Sequence, residues 1–462
     1  MLLPPSLDEW LPQGHLARFV AELVDEVLDL SAVYADYAND RGGYPPYDPR
    51  LMVRLLVYGY ATGVRSSRAI ERKCVDDVAF RFLAAGQAPD FRSVARFRRR
   101  HLDALAGLFV QSLRLAQKLG MVKMGRVALD GTKLAANASR HKAMSYDRLV
   151  AREEQMEAEI AELEAMVAAL LEDAEAVDAA EDARFGPDGI DSDLPAELDR
   201  REQRLARLQA ARAQIEAEAA DHARRQAEAT ERRRQDRAGV ADEQQLTQAG
   251  QHAAVRAKPK PKAQANFTDP ESRIMKMGTG AYAQAYNAQA VVDDAHQIIT
   301  AADVTDCAAD CPSFMPMLDQ CAANTGAHPR QAVVDAGYCS DANLDAAAAR
   351  QAAHGTETLM ATGRLRHDEQ VPPAPRGRIP TTATAKQRMA RKLRTKPGRA
   401  AYARRKAIVE PVFGQIITVQ NGRRLLLRGL AGARGEWRLL AACHNLLKIF
   451  RAETTGLATA TG

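Results

Sequence analysis

Two short apolar runs, far apart in the chain, each break on an acidic residue followed by glycine: Val127-Ala-Leu-Asp130-Gly131 and Ala332-Val-Val-Asp335-Ala-Gly337. Runs of this length read as buried strands, and glycine marks where each one ends. Ligand sites of α/β sheets gather at strand carboxyl ends, so two such strands lying side by side bring their carboxylates together. An ionised aspartate against an apolar strand is costly unless something compensates it. A divalent cation does so, and Mg2+ favours one or two carboxylates together with water and phosphate.

The surrounding pattern supplies the rest of a sheet. Residues 283–293 and 297–304 alternate and then run apolar, joined by Asp293-Asp-Ala-His296, which suits a hairpin turn. Residues 357–363 read as a fifth strand, and helices are expected at about 312–323 and 340–353. The order is strand, insertion, hairpin, then alternating helix and strand, which predicts an α/β fold with a mixed five-stranded sheet flanked by helices.

Residues 1–120 read as an all-helical N-terminal domain. Pro45, Pro46 and Pro49 mark a break, Asp48 caps a buried helix over 51–60, and Gly63 ends it. A second helix is expected at about 67–76, and Asp76-Asp77 opens another toward Leu83. The basic segment from Phe91 to Arg100 carries Arg92, Arg96 and Arg99. It fits either the last helix of a helix-turn-helix-like, DNA-binding module or a solvated arginine-rich face. Residues 145–238 carry two heptad seams: Met156, Ile160, Leu163, Val167 and Leu170, then Leu198, Leu205, Leu208 and Ile215. With the break at Phe185-Gly-Pro-Asp-Gly189 they predict an inserted antiparallel coiled-coil hairpin. Residues 239–268, with Lys258-Pro-Lys-Pro-Lys262, read as a flexible linker. The sheet-bearing domain is then 121–144 with 269–450.

Of the 462 residues 46% are hydrophobic, enough for a real core, and the net charge of +5 gives only a mild basic excess. Its distribution is more telling, with base gathered at 65–101, 386–406 and 423–438, where polyanions are attracted. Six cysteines are too sparse for a disulfide framework. Cys307, Cys311 and Cys321 lack the paired spacing of a zinc site. No signal-like or membrane-spanning run is visible, so a cytoplasmic, nucleoid-associated protein with no membrane partner is expected.

A third acid, Glu410, follows the densest basic run, from Lys386 to Lys406. Leu129-Asp-Gly-Thr-Lys133, Val333-Val-Asp-Ala-Gly-Tyr338 and Ile408-Val-Glu-Pro-Val-Phe-Gly-Gln415 together resemble the three motifs of DDE transposases of bacterial insertion sequences. Asp269-Pro-Glu-Ser-Arg-Ile-Met275, and the tail from Arg423 to Lys448, are similar too.

The resemblance implies a ribonuclease-H-like fold in which Asp130, Asp335 and Glu410 are catalytic and bind two Mg2+ (or Mn2+) ions about 4 Å apart. It implies DNA cleavage at the terminal inverted repeats of a transposon, strand transfer into target DNA, and a homodimer in the active complex. Tyr402, Arg405, Lys406, Arg423 and Arg424 are the expected DNA contacts near the cut. The subgroup places Tyr seven and Arg four residues before the Glu, and a basic residue seven after it. Here Lys406 stands four before, Tyr402 eight before, and Ile417 takes the later position. Alternatives are a related nuclease without strand transfer, or a DNA-binding relic without catalysis.

Among other candidates, Asp303, Asp306 and Asp310 read as helix capping and solvated surface. Trp437 reads as core, and His444 as a core or groove histidine. Tyr338 and Lys133 are open between DNA contact and ordinary packing or exposure.

Overall fold

The computed structural model describes residues 6–36, 47–138, 143–181, 194–261, 263–266, 268–363, 373 and 376–456. It divides into two compact units: Met1–Asn137 with Arg273–Gly462, and Ala138–Ser272. Pro45, Pro46, Lys262, the 185–189 break, and the side chains of Val167, Leu170 and Leu198 lie outside the described residues.

The first unit opens with α1 (Leu7–Trp10), α2 (Leu16–Glu22), α3 (Ser31–Tyr34), α4 (Pro49–Thr62), α5 (Ser67–Asp76), α6 (Val78–Leu83), α7 (Phe91–Arg100) and α8 (Leu102–Lys118). Their ends follow local chemistry. Asp48 accepts the Arg50 N–H and Pro49 opens α4, whose residues are nearly all buried; Gly63, at φ +82°, closes it. Asp77 caps α6 and Asp90 caps α7 through two backbone N–H groups each.

The second unit holds β2 (Ala143–Ser145), paired antiparallel with β3 (Gln264–Asn266), and three helices: α9 (Tyr146–Glu181), α10 (Leu194–Ala238) and α11 (Glu243–Arg256). Met156, Ile160, Leu208 and Ile215 of the expected seams are buried together with Leu149, Ala211 and Ala265; Leu205 packs at the edge. Leu163 is only half-buried. The expected linker is not one. Asp242 caps α11, which packs along α10 with Gly250 close against Arg224 and Glu228. The prolines that suggested extended backbone affect only the few residues after Ala257.

Back in the first unit, β1 (Arg126–Ala135) is followed after the insertion by β4 (Arg273–Lys276), β5 (Tyr282–Asp293), β6 (Ile299–Thr305), β7 (Gln331–Val334) and β8 (Glu357–Met360). The helices here are α12 (Phe314–Thr325), α13 (Asp341–His354), α14 (Ala385–Arg394), α15 (Lys396–Thr418) and α16 (Gly429–Thr454). The order β4-β5-β1-β7-β8, with β6 also on β5, makes a six-stranded mixed sheet in place of the five expected. The strand overlooked is β4, whose four residues are too few to show alternation. β1 runs antiparallel to β5 and parallel to β7, and β7 is parallel to β8.

Val127, Leu129, Val334 and Met360 pack with Phe314 and Leu318 of α12 and Leu344 of α13 on one face. Gly131 does not end β1, which continues to Ala135 and is there held by Ala135 N–H to Arg423 O, 3.0 Å, and Leu425 N–H to Ala135 O, 2.8 Å.

The N-terminal helices do not form a unit of their own ending at 120, because α16 packs on both α8 and α4. A buried ion pair fastens them: Arg65 Nη1 lies 2.9 Å from Glu436 Oε1, with side chains 4% and 0% exposed. Glu436 also accepts from Tyr60 Oη–H and from the N–H groups of Leu426 and Leu427, while Arg65 donates to the Asn421 and Arg424 carbonyls. Trp437 is core, as expected, and His444 is core too; His444 Nε2 meets Gln297 O at 2.9 Å. Among the described residues no helix is long and apolar enough to cross a membrane.

Removing one partner of such a pair leaves an uncompensated buried charge. Arg65→Ala is expected to destabilise the protein by about 3–5 kcal/mol, read by denaturant unfolding. A second expectation concerns acid. Burial pushes His444 down to about 3, below the ordinary value of about 6.5. Between those values the unfolded chain takes up a proton that the folded one refuses, so stability is lost as pH falls through about 6.5. From pH 7 to pH 5 the protein should lose up to about 2 kcal/mol more than His444→Gln does.

Candidate active site

The parallel pairing of β1 with β7 ends at Leu129 opposite Val334. The next residue on each strand is an aspartate, so Asp130 and Asp335 emerge side by side at the carboxyl edge of the pair. Successive strand residues point to opposite faces. Asp130 accordingly reaches α15, while Gly131 faces the α12–α13 side, where an added Cβ would lie 2.3 Å from Gln289 Nε2 and 2.8 Å from Asp310 Oδ1.

Both oxygens of Asp130 are engaged. Oδ1 accepts the Gly131 N–H at 2.9 Å, and Oδ2 accepts Arg405 Nη1 at 2.6 Å. The pair is largely withdrawn from solvent, with 21% and 12% of the side chains exposed. Burial, and secondarily Asp335, push the Asp130 carboxyl up from its usual range, although Arg405 opposes this. Asp335 Oδ1 accepts the Gly337 N–H at 2.7 Å. Tyr402 stands beside the group, its phenol pushed up by burial and by the two aspartates.

Below them runs a buried polar floor. Asp310 Oδ1 accepts from Lys133 Nζ at 3.0 Å, Asn287 Nδ2 at 2.7 Å and Gln289 Nε2 at 2.9 Å, and Gln289 Oε1 accepts the Tyr338 hydroxyl. This corrects the reading of the acidic cluster after β6. Asp303 pairs with Arg434 and Asp306 with Arg273, but Asp310 makes no helix cap and turns into the floor. Lys133 is neither free nor solvated, and Tyr338 is fully buried packing. Asn287 and Gln289 sit on alternate residues of β5 opposite Lys133 and Gly131. Two buried amides at that spacing, facing Lys133 and Gly131 across the pair, were the signal that sequence reading passed over.

Of the expected site residues, Asp130, Asp335, Tyr402 and Arg405 meet. Glu410 is exposed on α15, and among the described residues no group of three or more His, Cys, Asp or Glu is placed to hold a metal ion. Lys406 is exposed on the same helix, and Arg423 and Arg424 are exposed where the chain crosses the end of β1. Arg92, Arg96 and Arg99 are exposed on α7 at helical spacing, opposite buried Val94, Phe97 and Arg98.

Residues 5–100 match the family model described as Transposase domain (DUF772), and residues 233–446 match that described as Transposase DDE domain. The chain belongs to the DDE transposases of insertion-sequence type. Asp335 and Glu410 of this transposase lie within the second match, and Asp130 lies between the two. No curated protein and no solved structure gives a match.

The donors fit the divalent cation that this family implies. Two carboxylates supply hard oxygens at one edge, and Asp130 is largely buried, where a cation compensates it. Gly131→Ala pushes a Cβ into Gln289, which is locked by the floor. It is expected to cost roughly 1–3 kcal/mol in stability. Gly107→Ala, with open space around it, should cost nothing in the same melts.

Proposed function

We propose that this transposase cleaves DNA at the ends of its element and joins them to target DNA, in a ribonuclease-H-like catalytic domain. The observation that carries the reading is the adjacency of Asp130 and Asp335 at the end of one parallel strand pair. The strand order and directions support the fold, with β5 antiparallel to both β1 and β6, and β7 and β8 parallel to β1.

A divalent cation held there would supply activation of an attacking oxygen and stabilisation of the leaving one. Asp130 and Asp335 would hold it, each already oriented by a backbone N–H. In cleavage, water attacks phosphorus, the phosphodiester P–O bond breaks, and the departing strand keeps a 3′-hydroxyl. In joining, that hydroxyl attacks a target phosphodiester in the same way, without a covalent enzyme intermediate. Tyr402 and Lys406 flank the place the phosphate must enter. The stripe of Arg92, Arg96 and Arg99, with Arg423 and Arg424, offers charge for the DNA backbone.

Glu410 is our proposed third carboxylate, brought in when α15 moves on DNA. Pro411 follows it inside the helix and has no N–H for the Ala407 carbonyl, which Gln297 Nε2 takes instead at 2.9 Å. The helix is therefore weakest beside the residue that must move.

The test is incubation with Mg2+ and duplexes carrying the element's terminal repeats. Cutting and joining are expected, with Asp130→Asn and Asp335→Asn each losing at least about 1,000-fold in rate while still shifting DNA. Glu410→Gln should fall as far. Cutting without joining would favour a nuclease; retained cutting in Asp130→Asn would refute the site.

A further inference from the structure

We infer that Arg405 acts as a resident cation on Asp130, excluding the divalent metal until DNA draws the guanidinium away. The inference rests on the metal-binding reading of Asp130 and Asp335, and adds to it an order of events. Metal loading is made conditional on substrate.

Three observations carry it. First, Arg405 Nη1 sits 2.6 Å from Asp130 Oδ2, and the other Asp130 oxygen is already taken by the Gly131 N–H. Each oxygen keeps a second lone pair, but a divalent ion arriving there meets the positive charge of the guanidinium at close range. The N–H belongs to the strand itself, so the side chain is the one that gives way.

Second, the ion pair is needed while no metal is present. Asp130 and Asp335 are like charges at neighbouring positions, and Asp130 is mostly buried. Leaving such a carboxylate unpaired costs several kcal/mol. A monovalent guanidinium compensates one carboxylate, whereas a divalent ion compensates both.

Third, besides Asp130 the Arg405 guanidinium meets only a light second hold, the Tyr402 hydroxyl on its own helix. Its Nε is buried without a hydrogen-bond partner, which is costly for a charged donor. Arg350 has the same unpartnered Nε, but its terminal nitrogens are spread over Asp319, the Leu318 carbonyl and His328. Exposed base surrounds Arg405 on α15, where Arg404 and Lys406 point outward. A phosphodiester approaching that basic face meets the helix that carries the latch. Phosphate offers the planar guanidinium two oxygens at once.

Manganese binding, followed by the loss of free Mn2+ signal in electron paramagnetic resonance, tests this without any turnover. At mildly alkaline pH and without DNA, Arg405→Gln should bind Mn2+ roughly five- to tenfold more tightly than the unmodified chain. A short duplex of arbitrary sequence should tighten Mn2+ binding in the unmodified chain more than in Arg405→Gln. Arg405→Lys, which keeps charge on a single donor group, should fall between them. Circular dichroism melts establish that each variant is folded. Equal or weaker Mn2+ binding by folded Arg405→Gln overturns the latch. Mn2+ binding that survives Asp130→Asn overturns the metal site itself, so the two failures are told apart.

Discussion

The site depends on one register. Because Leu129 lies opposite Val334 in a parallel pair, the two aspartates are forced next to each other where the shared strand hydrogen bonding stops. That placement is unfavourable by itself: two like charges meet at the edge of a packed sheet. What the protein builds around them is compensation: a backbone N–H for each and a guanidinium for one. The floor beneath is equally constrained. Gly131 and Gly337 leave no Cβ where Asp310 and Gln289 pack, so the chain following each aspartate is held close to the same polar network.

The helix that delivers the guanidinium is positioned from several sides. Val409, Val412 and Ile416 are buried along α15, Arg404 pairs with Asp294 at 2.7 Å, and Gln297 holds the Ala407 carbonyl. Asp294 and Gln297 belong to the β5–β6 connection, which Asp293 organises by accepting the Met124 and Ala295 N–H groups. The hairpin turn therefore serves the site at a distance. The Arg65–Glu436 pair does the comparable task for the other end of the sheet, since the carbonyls it holds at Asn421 and Arg424 flank the segment that pairs with Ala135. A buried pair of this kind is weak evidence for stability compared with an apolar replacement. Its many backbone partners point to a role in fixing geometry.

Much of this was legible in the chain. Apolar runs ending on aspartate located β1 and β7, and the Asp293–His296 turn, the helix from about Ser340 and the buried α4 were all readable from local chemistry. What escaped was whatever depends on partners distant in sequence. β4 is too short to announce itself, and it exists because β5 is long enough to pair with both β4 and β6. Asp310 looked like one of three surface acids, and only the fold shows that Lys133, Asn287 and Gln289 surround it. The domain border drawn at 120 failed for the same reason. Helices that look self-contained bury their faces against α16, at the far end of the chain.

The behaviour of α15 turns on a count of residues. Tyr402 and Arg405 are three apart, the same interval that separates the family's Tyr and Arg, and both stand at the aspartates. The acid comes five residues after Arg405, where the family's pattern places it four after. One additional residue turns a helical position by about 100°. That is enough to carry a side chain from a helix's inner face to its flank, and Val409 occupies the inward position while Glu410 is exposed. With the acid turned out, the arginine turned in is what compensates Asp130. The same shift that leaves Glu410 exposed thus leaves Asp130 paired with Arg405.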